Sequence, residues 1–112
     1  MVLPRLELSE AGSTTAARFT GTDISLDEAA TGAVWEEVSA LAGRLNGREL
    51  VFDLSNVRFL NSTALGMFLL LRRRLQARGR RFRLVNAQPQ IAEVFRVTRL
   101  SALFESPPPL AV

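Results

Sequence analysis

Residues Asp53–Leu75, DLSNVRFLNSTALGMFLLLRRRL, decide how the rest of the chain is read. The apolar, β-favouring residues Leu50, Val51, Phe52 and Leu54 give way to a polar loop, and the loop feeds directly into a strongly helical run at Ala64. Asn61, Ser62 and Thr63 stand at that junction. All three are N-cap residue types, because their side chains accept from the orphan amides of a first helical turn. A helix start also carries partial positive charge and free N–H groups, which suit a phosphate. A hydroxyl at this place is either a cap or a cap that becomes phosphorylated.

The helix that follows has two faces. At 100° per residue Ala64, Phe68, Leu71 and Leu75 fall together and should meet a sheet. Gly66, Leu69 and Leu70 fall largely opposite them. That second set reads as a partner surface beside the loop, with Gly66 and Leu69 or Leu70 in contact, or as packing against a neighbouring helix.

Working outward, the near-continuous apolar run Glu49–Leu54 is that of a central strand covered on both faces. Before it, Val34, Val38, Leu41 and Leu45 recur at i, i+4, i+7 and i+11. This predicts an amphipathic helix that starts at Asp27-Glu28 and stops at Asn46-Gly47, with Trp35 at the edge of the apolar stripe. Leu3–Leu8 and Thr14–Thr20 read as strands around a turn at Glu10–Ser13, with Ala17 and Phe19 on one face. Gly21-Thr22-Asp23 breaks the second strand, and Ile24–Asp27 is either a short strand or a loop. After the central helix, which runs to Arg78 with Gly79 as its C-cap, come a strand at Phe82–Val85 and a helix opened by Pro89 that carries Ile91, Val94 and Phe95. Leu100–Phe104 is a short apolar segment, and Pro107-Pro108-Pro109 reads as an extended tail. One domain over residues 1–106, with a short Pro-rich tail at 107–112, is expected. Its class is α/β: a mixed sheet of four to five strands with helices mainly on one face.

Composition narrows the function. With 112 residues, 47% of them hydrophobic, the chain is long enough to bury a core. It holds no Cys, His or Tyr, which removes thiolate chemistry, disulfides and the commonest general base. Neither paired carboxylates nor a Gly-rich phosphate loop is present, so an enzyme is not expected and no cofactor or metal is implied. All 14 basic residues are Arg. The net charge is only +3, and the pI of 11.2 reflects the lack of groups that titrate between carboxylates and arginine. Seven arginines lie between Arg72 and Arg83. They read as a solvated helix end that complements the dipole, with a patch for nucleic acid, nucleotide or an acidic partner as the alternative. No apolar stretch reaches membrane-spanning length and no signal peptide is legible, so a cytoplasmic location is expected.

The order strand, DLSxVxFL, NSTALG, long helix, then GRRFRLVNAQPQIAEVF and TRLSALFE resembles the STAS domain family, over about Phe19 to Phe104 and most densely over Leu50–Gly66. Its members include bacterial anti-sigma factor antagonists. In phosphorylatable members the loop reads Asp-Ser-Ser/Thr-Gly-Leu-Gly, and the Ser after the Asp accepts phosphate from a partner kinase. The matching acceptor here is Ser62, with Thr63 as the alternative; Asn61 stands for the Asp and Ala64 for the first Gly. The resemblance implies a partner-switching regulator, bound by an anti-sigma factor of the serine-kinase type and reset by a serine phosphatase. It would be a monomer or weak dimer without direct DNA or membrane binding, and ATP and magnesium would belong to the kinase. Asp23 and Asp53 join Asn61, Ser62, Thr63, Gly66, Leu69 and Leu70 as expected partner-binding residues. The alternative within the family is a constitutive adaptor, in a signalling scaffold or lipid-transport complex, whose loop binds without being phosphorylated.

Overall fold

A computed structural model describes residues 5–104. The expected Pro-rich tail lies outside them. Strands β1 (Leu6–Ala11) and β2 (Thr14–Phe19) form a hairpin closed at Gly12-Ser13, so the first strand runs further than the alternation of Leu6 and Leu8 suggested. Gly12 takes a left-handed φ of 61° to make the turn. After β3 (Ile24–Leu26) comes helix α1 (Glu28–Arg44), then β4 (Glu49–Asp53), β5 (Val57–Leu60), α2 (Ser62–Ala77), β6 (Arg81–Val85), α3 (Pro89–Val97) and a 3₁₀ turn at Ser101–Phe104.

The main sheet has the order β1-β2-β4-β6, with β1 antiparallel and the other neighbours parallel. β4 is central, as its apolar run requires. A separate parallel ribbon joins β3 to β5. Ile24–Leu26 is thus a strand, and the stretch after Leu54 is more than a loop, since it contains one.

Side chains from one face of the sheet (Ala17, Phe19, Leu50, Phe52, Phe82 and Leu84) are buried together with the apolar stripes of α1 and α2. Val34, Val38, Leu41 and Leu45, and likewise Ala64, Phe68, Leu71 and Leu75, are all in this core. Aromatic rings run through it: Phe19–Phe52 at 5.1 Å, Phe52–Phe68 at 5.3 Å, Phe68–Phe95 at 6.4 Å and Phe95–Phe104 at 4.9 Å. They link β2, β4, α2, α3 and the 3₁₀ turn, so the last two elements are held by the same core that seats α2. The opposite face of the sheet carries Arg18, Glu49, Asp53 and Arg83, with Arg83 and Glu49 paired at 3.1 Å.

Candidate functional site

The β3–β5 ribbon positions the site. Asn56 is buried and fastens the ribbon at one end: its side-chain amide donates to the carbonyls of Phe19 and Gly21, and its own carbonyl accepts from Ile24 N–H at 2.7 Å. At the other end Leu26 and Leu60 stand in register, and Asn61 N–H donates to the Leu26 carbonyl at 3.2 Å. One residue beyond each strand a helix begins. Asp27 caps α1 by accepting from Ala30 N–H at 2.9 Å, and Asn61 caps α2 by accepting from Ala64 N–H at 3.1 Å. Two helix starts therefore lie side by side, each presenting about half a positive charge.

The helices stay side by side along their length. Arg74 Nη1 donates to Ser39 Oγ at 2.7 Å while its guanidinium lies 5.1 Å from the Trp35 ring centroid. Arg78 Nη1 donates to the Ala42 carbonyl at 2.6 Å. Arg80 reaches the Gly47 carbonyl and Arg83 pairs with Glu49. Four of the seven arginines at Arg72–Arg83 thus also tie elements together, while Arg73, Arg74, Arg78 and Arg81 remain exposed, in keeping with a solvated helix end.

At the junction the cap is Asn61 rather than Ser62. Ser62 and Thr63 are exposed, and neither hydroxyl makes a hydrogen bond among the described residues. Gly66 and Leu70 are exposed on the outer surface of α2, whereas Leu69 is half-buried and packs against the core, which corrects its placement with them. A Cβ at Gly66 would meet nothing within 4 Å, so no packing among the described residues demands a glycine in mid-helix.

The structure sets Asp23 and Asp53 apart from this group. Both flank the turn before β5, one strand length from Ser62. Asp23 holds a left-handed φ of 50° beside Gly21, whose carbonyl Asn56 binds. Asp53 ends β4 and accepts from Ser55 N–H at 2.7 Å and from the Asn86 side chain at 3.2 Å. Partial burial alone would raise its carboxyl pKa, but those hydrogen bonds and the charge of Arg18 outweigh it and hold the group below its ordinary value.

A family profile described as "Mlab, STAS domain" matches residues 8–105. The chain belongs to the STAS domain family. A STAS-domain-containing protein of Pseudomonas aeruginosa is 34% identical over 58 residues; the match covers 52% of this chain and 57% of that relative, so the chain spans little over half of its length. Among solved structures, an anti-sigma factor antagonist (STAS) domain protein from Planctomyces limnophilus superposes with a TM-score of 0.80 at 18% identity, covering 92% of this chain and 88% of that one. Phosphorylated SpoIIAA, a Bacillus cell fate determinant, superposes with a TM-score of 0.67 at 21% identity over 89% and 88% of the two chains. At these identities the likeness is one of fold.

Three further residues belong to this candidate site. Asp27 was legible as a helix start, but only the Leu26–Leu60 register makes it a neighbour of Asn61. Asn56 lies in the turn between β4 and β5, where no local sequence signal marks it as buried. Phe59, 50% exposed three positions before Ser62, carries an aromatic ring on the surface without any local sequence signal for it. Among the described residues no cluster of His, Cys, Asp or Glu could hold a metal, and no helix is long and apolar enough to cross a membrane.

Proposed function

We propose that this chain is a partner-switching regulator of the anti-sigma factor antagonist type, bound by an anti-sigma factor with serine-kinase activity and released when Ser62 is phosphorylated. One observation carries the reading: Asn61 caps the first turn of α2, which leaves the Ser62 hydroxyl exposed and without a hydrogen-bond partner among the described residues. Phosphate there would bring about −1.5 to −2 charges to the start of two adjacent helices, whose amides and dipoles accommodate it. The fold would keep its shape. A partner lying on the loop, on Gly66, on Leu70 and on Phe59 would instead face a hydrated dianion. The mid-helix glycine supports this surface: it costs α2 about 0.5–1 kcal/mol relative to alanine and leaves the helix open to a close approach. Thr63, equally exposed, is the alternative acceptor, and a serine phosphatase would reset the switch.

A second reading has its own support. Asn61 replaces the acidic residue that precedes the acceptor in phosphorylatable members, and the matching profile is described by Mlab rather than by an antagonist. In that reading the same surface holds a partner constitutively, as an adaptor in a signalling scaffold or lipid-transport complex. The experiment is a pull-down from the native host with Ser62→Asp and Ser62→Ala, paired with circular dichroism. The switch predicts native spectra for both, partner capture by Ser62→Ala and little capture by Ser62→Asp. Equal capture by both, with both folded, supports the constitutive adaptor.

A further inference from the structure

At the far end of the same two helices lies a groove of about 270 Å³, lined by Ser39, Ala42, Gly43, Arg74, Ala77 and Arg78. We propose that it binds a small ligand carrying adjacent phosphate groups. Its floor is made of the small residues Ala42, Gly43 and Ala77, and a Cβ at Gly43 would meet nothing within 4 Å. Its polar wall is made by Arg74 and Arg78, whose backbone positions are one helical turn apart, about 6 Å along the axis. Both are held in place, Arg74 by Ser39 and the Trp35 ring and Arg78 by the Ala42 carbonyl. Each of these hydrogen bonds uses one Nη1, while a guanidinium carries five N–H donors in a planar fork that fits phosphate oxygens bidentately.

The local charge decides the sign of the ligand. The ends of α1 and α2 contribute about −0.5 each. Against them stand Arg74 and Arg78 themselves, with Arg44 in the last turn of α1. The carboxylate on this side is Glu36, one turn before Ser39 on α1, since Glu49 and its partner Arg83 lie on the opposite face of the sheet. A cationic surplus therefore remains after both dipoles and Glu36 are met. The two guanidinium forks, carried one helical turn apart on one helix, favour a compact group with two neighbouring phosphates.

The chain has a single tryptophan, and Arg74 lies over it. Titration of the full chain with inorganic pyrophosphate, followed by Trp35 emission and by calorimetry, should give a saturable response that weakens as sodium chloride is raised. Arg78→Gln should weaken binding about tenfold or more, the loss expected for charge-assisted hydrogen bonds. Ala77→Glu, which removes no contact of an exposed residue, should abolish binding, while Arg99→Gln, beyond α3, should leave it unchanged. Neither heat nor emission change with pyrophosphate overturns the proposal. So does a response that sodium chloride at matched ionic strength reproduces, or wild-type affinity in a folded Ala77→Glu protein.

Discussion

Replacing Asn61 by alanine separates the cap from the switch. The substitution removes the Oδ1 acceptor that lies 3.1 Å from Ala64 N–H and leaves the Asn61 backbone bonds to Leu26 and Leu65 in place. Loss of an Asn cap costs about 0.5–2 kcal/mol, typically near 1. For a domain of this size each 1 kcal/mol lowers Tm by about 4–8 °C. Ser62→Ala is the comparison. Ser62 is the first residue of α2, its hydroxyl bonds to nothing among the described residues, and alanine is the better helix former. Its effect should stay within about ±0.5 kcal/mol, as for an ordinary surface change. Thermal melts of the three proteins by circular dichroism should therefore show Asn61→Ala clearly below the other two. If Ser62→Ala melts as low as Asn61→Ala, the hydroxyl is a structural cap, and the argument that it is free for chemistry fails.

Gly47 allows the hairpin turn to touch the start of β4: a Cβ there would lie 2.3 Å from the Ser13 carbonyl oxygen, which already accepts from Arg48 and Glu49. Gly47→Ala should lose about 1–3 kcal/mol in urea denaturation, and an unchanged midpoint would contradict the close approach. Phe68 lies between Phe52 and Phe95 in the aromatic series and is fully buried, so Phe68→Ala should cost about 3–5 kcal/mol and melt the domain near ambient temperature or prevent folding. Asp53 predicts an acid limb. Its folded pKa lies below the unfolded value of about 3.9, so its contribution is complete above that pH and is lost as pH falls through the folded value. Asp53→Asn should lose less stability than wild type between pH 5 and pH 3, read from paired melts; equal losses would contradict the sign.

What the sequence disclosed follows the range of the interactions. The stripe Val34, Val38, Leu41, Leu45 and the sheet-facing set Ala64, Phe68, Leu71, Leu75 are local periodicities, and both are buried as their spacing implies. Strand β5 was hidden because Val57–Leu60 is four residues long, is buried only at its two ends and pairs with a three-residue strand some thirty positions earlier. The ties made by Arg74 and Arg78 were hidden for the same reason, since Ser39 and Ala42 stand 35 and 36 residues from their partners. At the site, Asn61, Ser62 and Thr63 were interchangeable as caps by residue type. Backbone geometry distinguishes them: Asn61 keeps an extended conformation (φ −108°, ψ −176°), from which its side chain can turn back to Ala64 N–H.

The proposed switch is tested most directly by the intact mass of the protein purified from its own host, followed by peptide mapping across Leu60–Arg72. The account predicts a fraction heavier by one phosphate, localised to Ser62 or to its neighbour Thr63. A single unmodified mass under every growth condition would contradict the switch and leave the constitutive adaptor as the function of this surface.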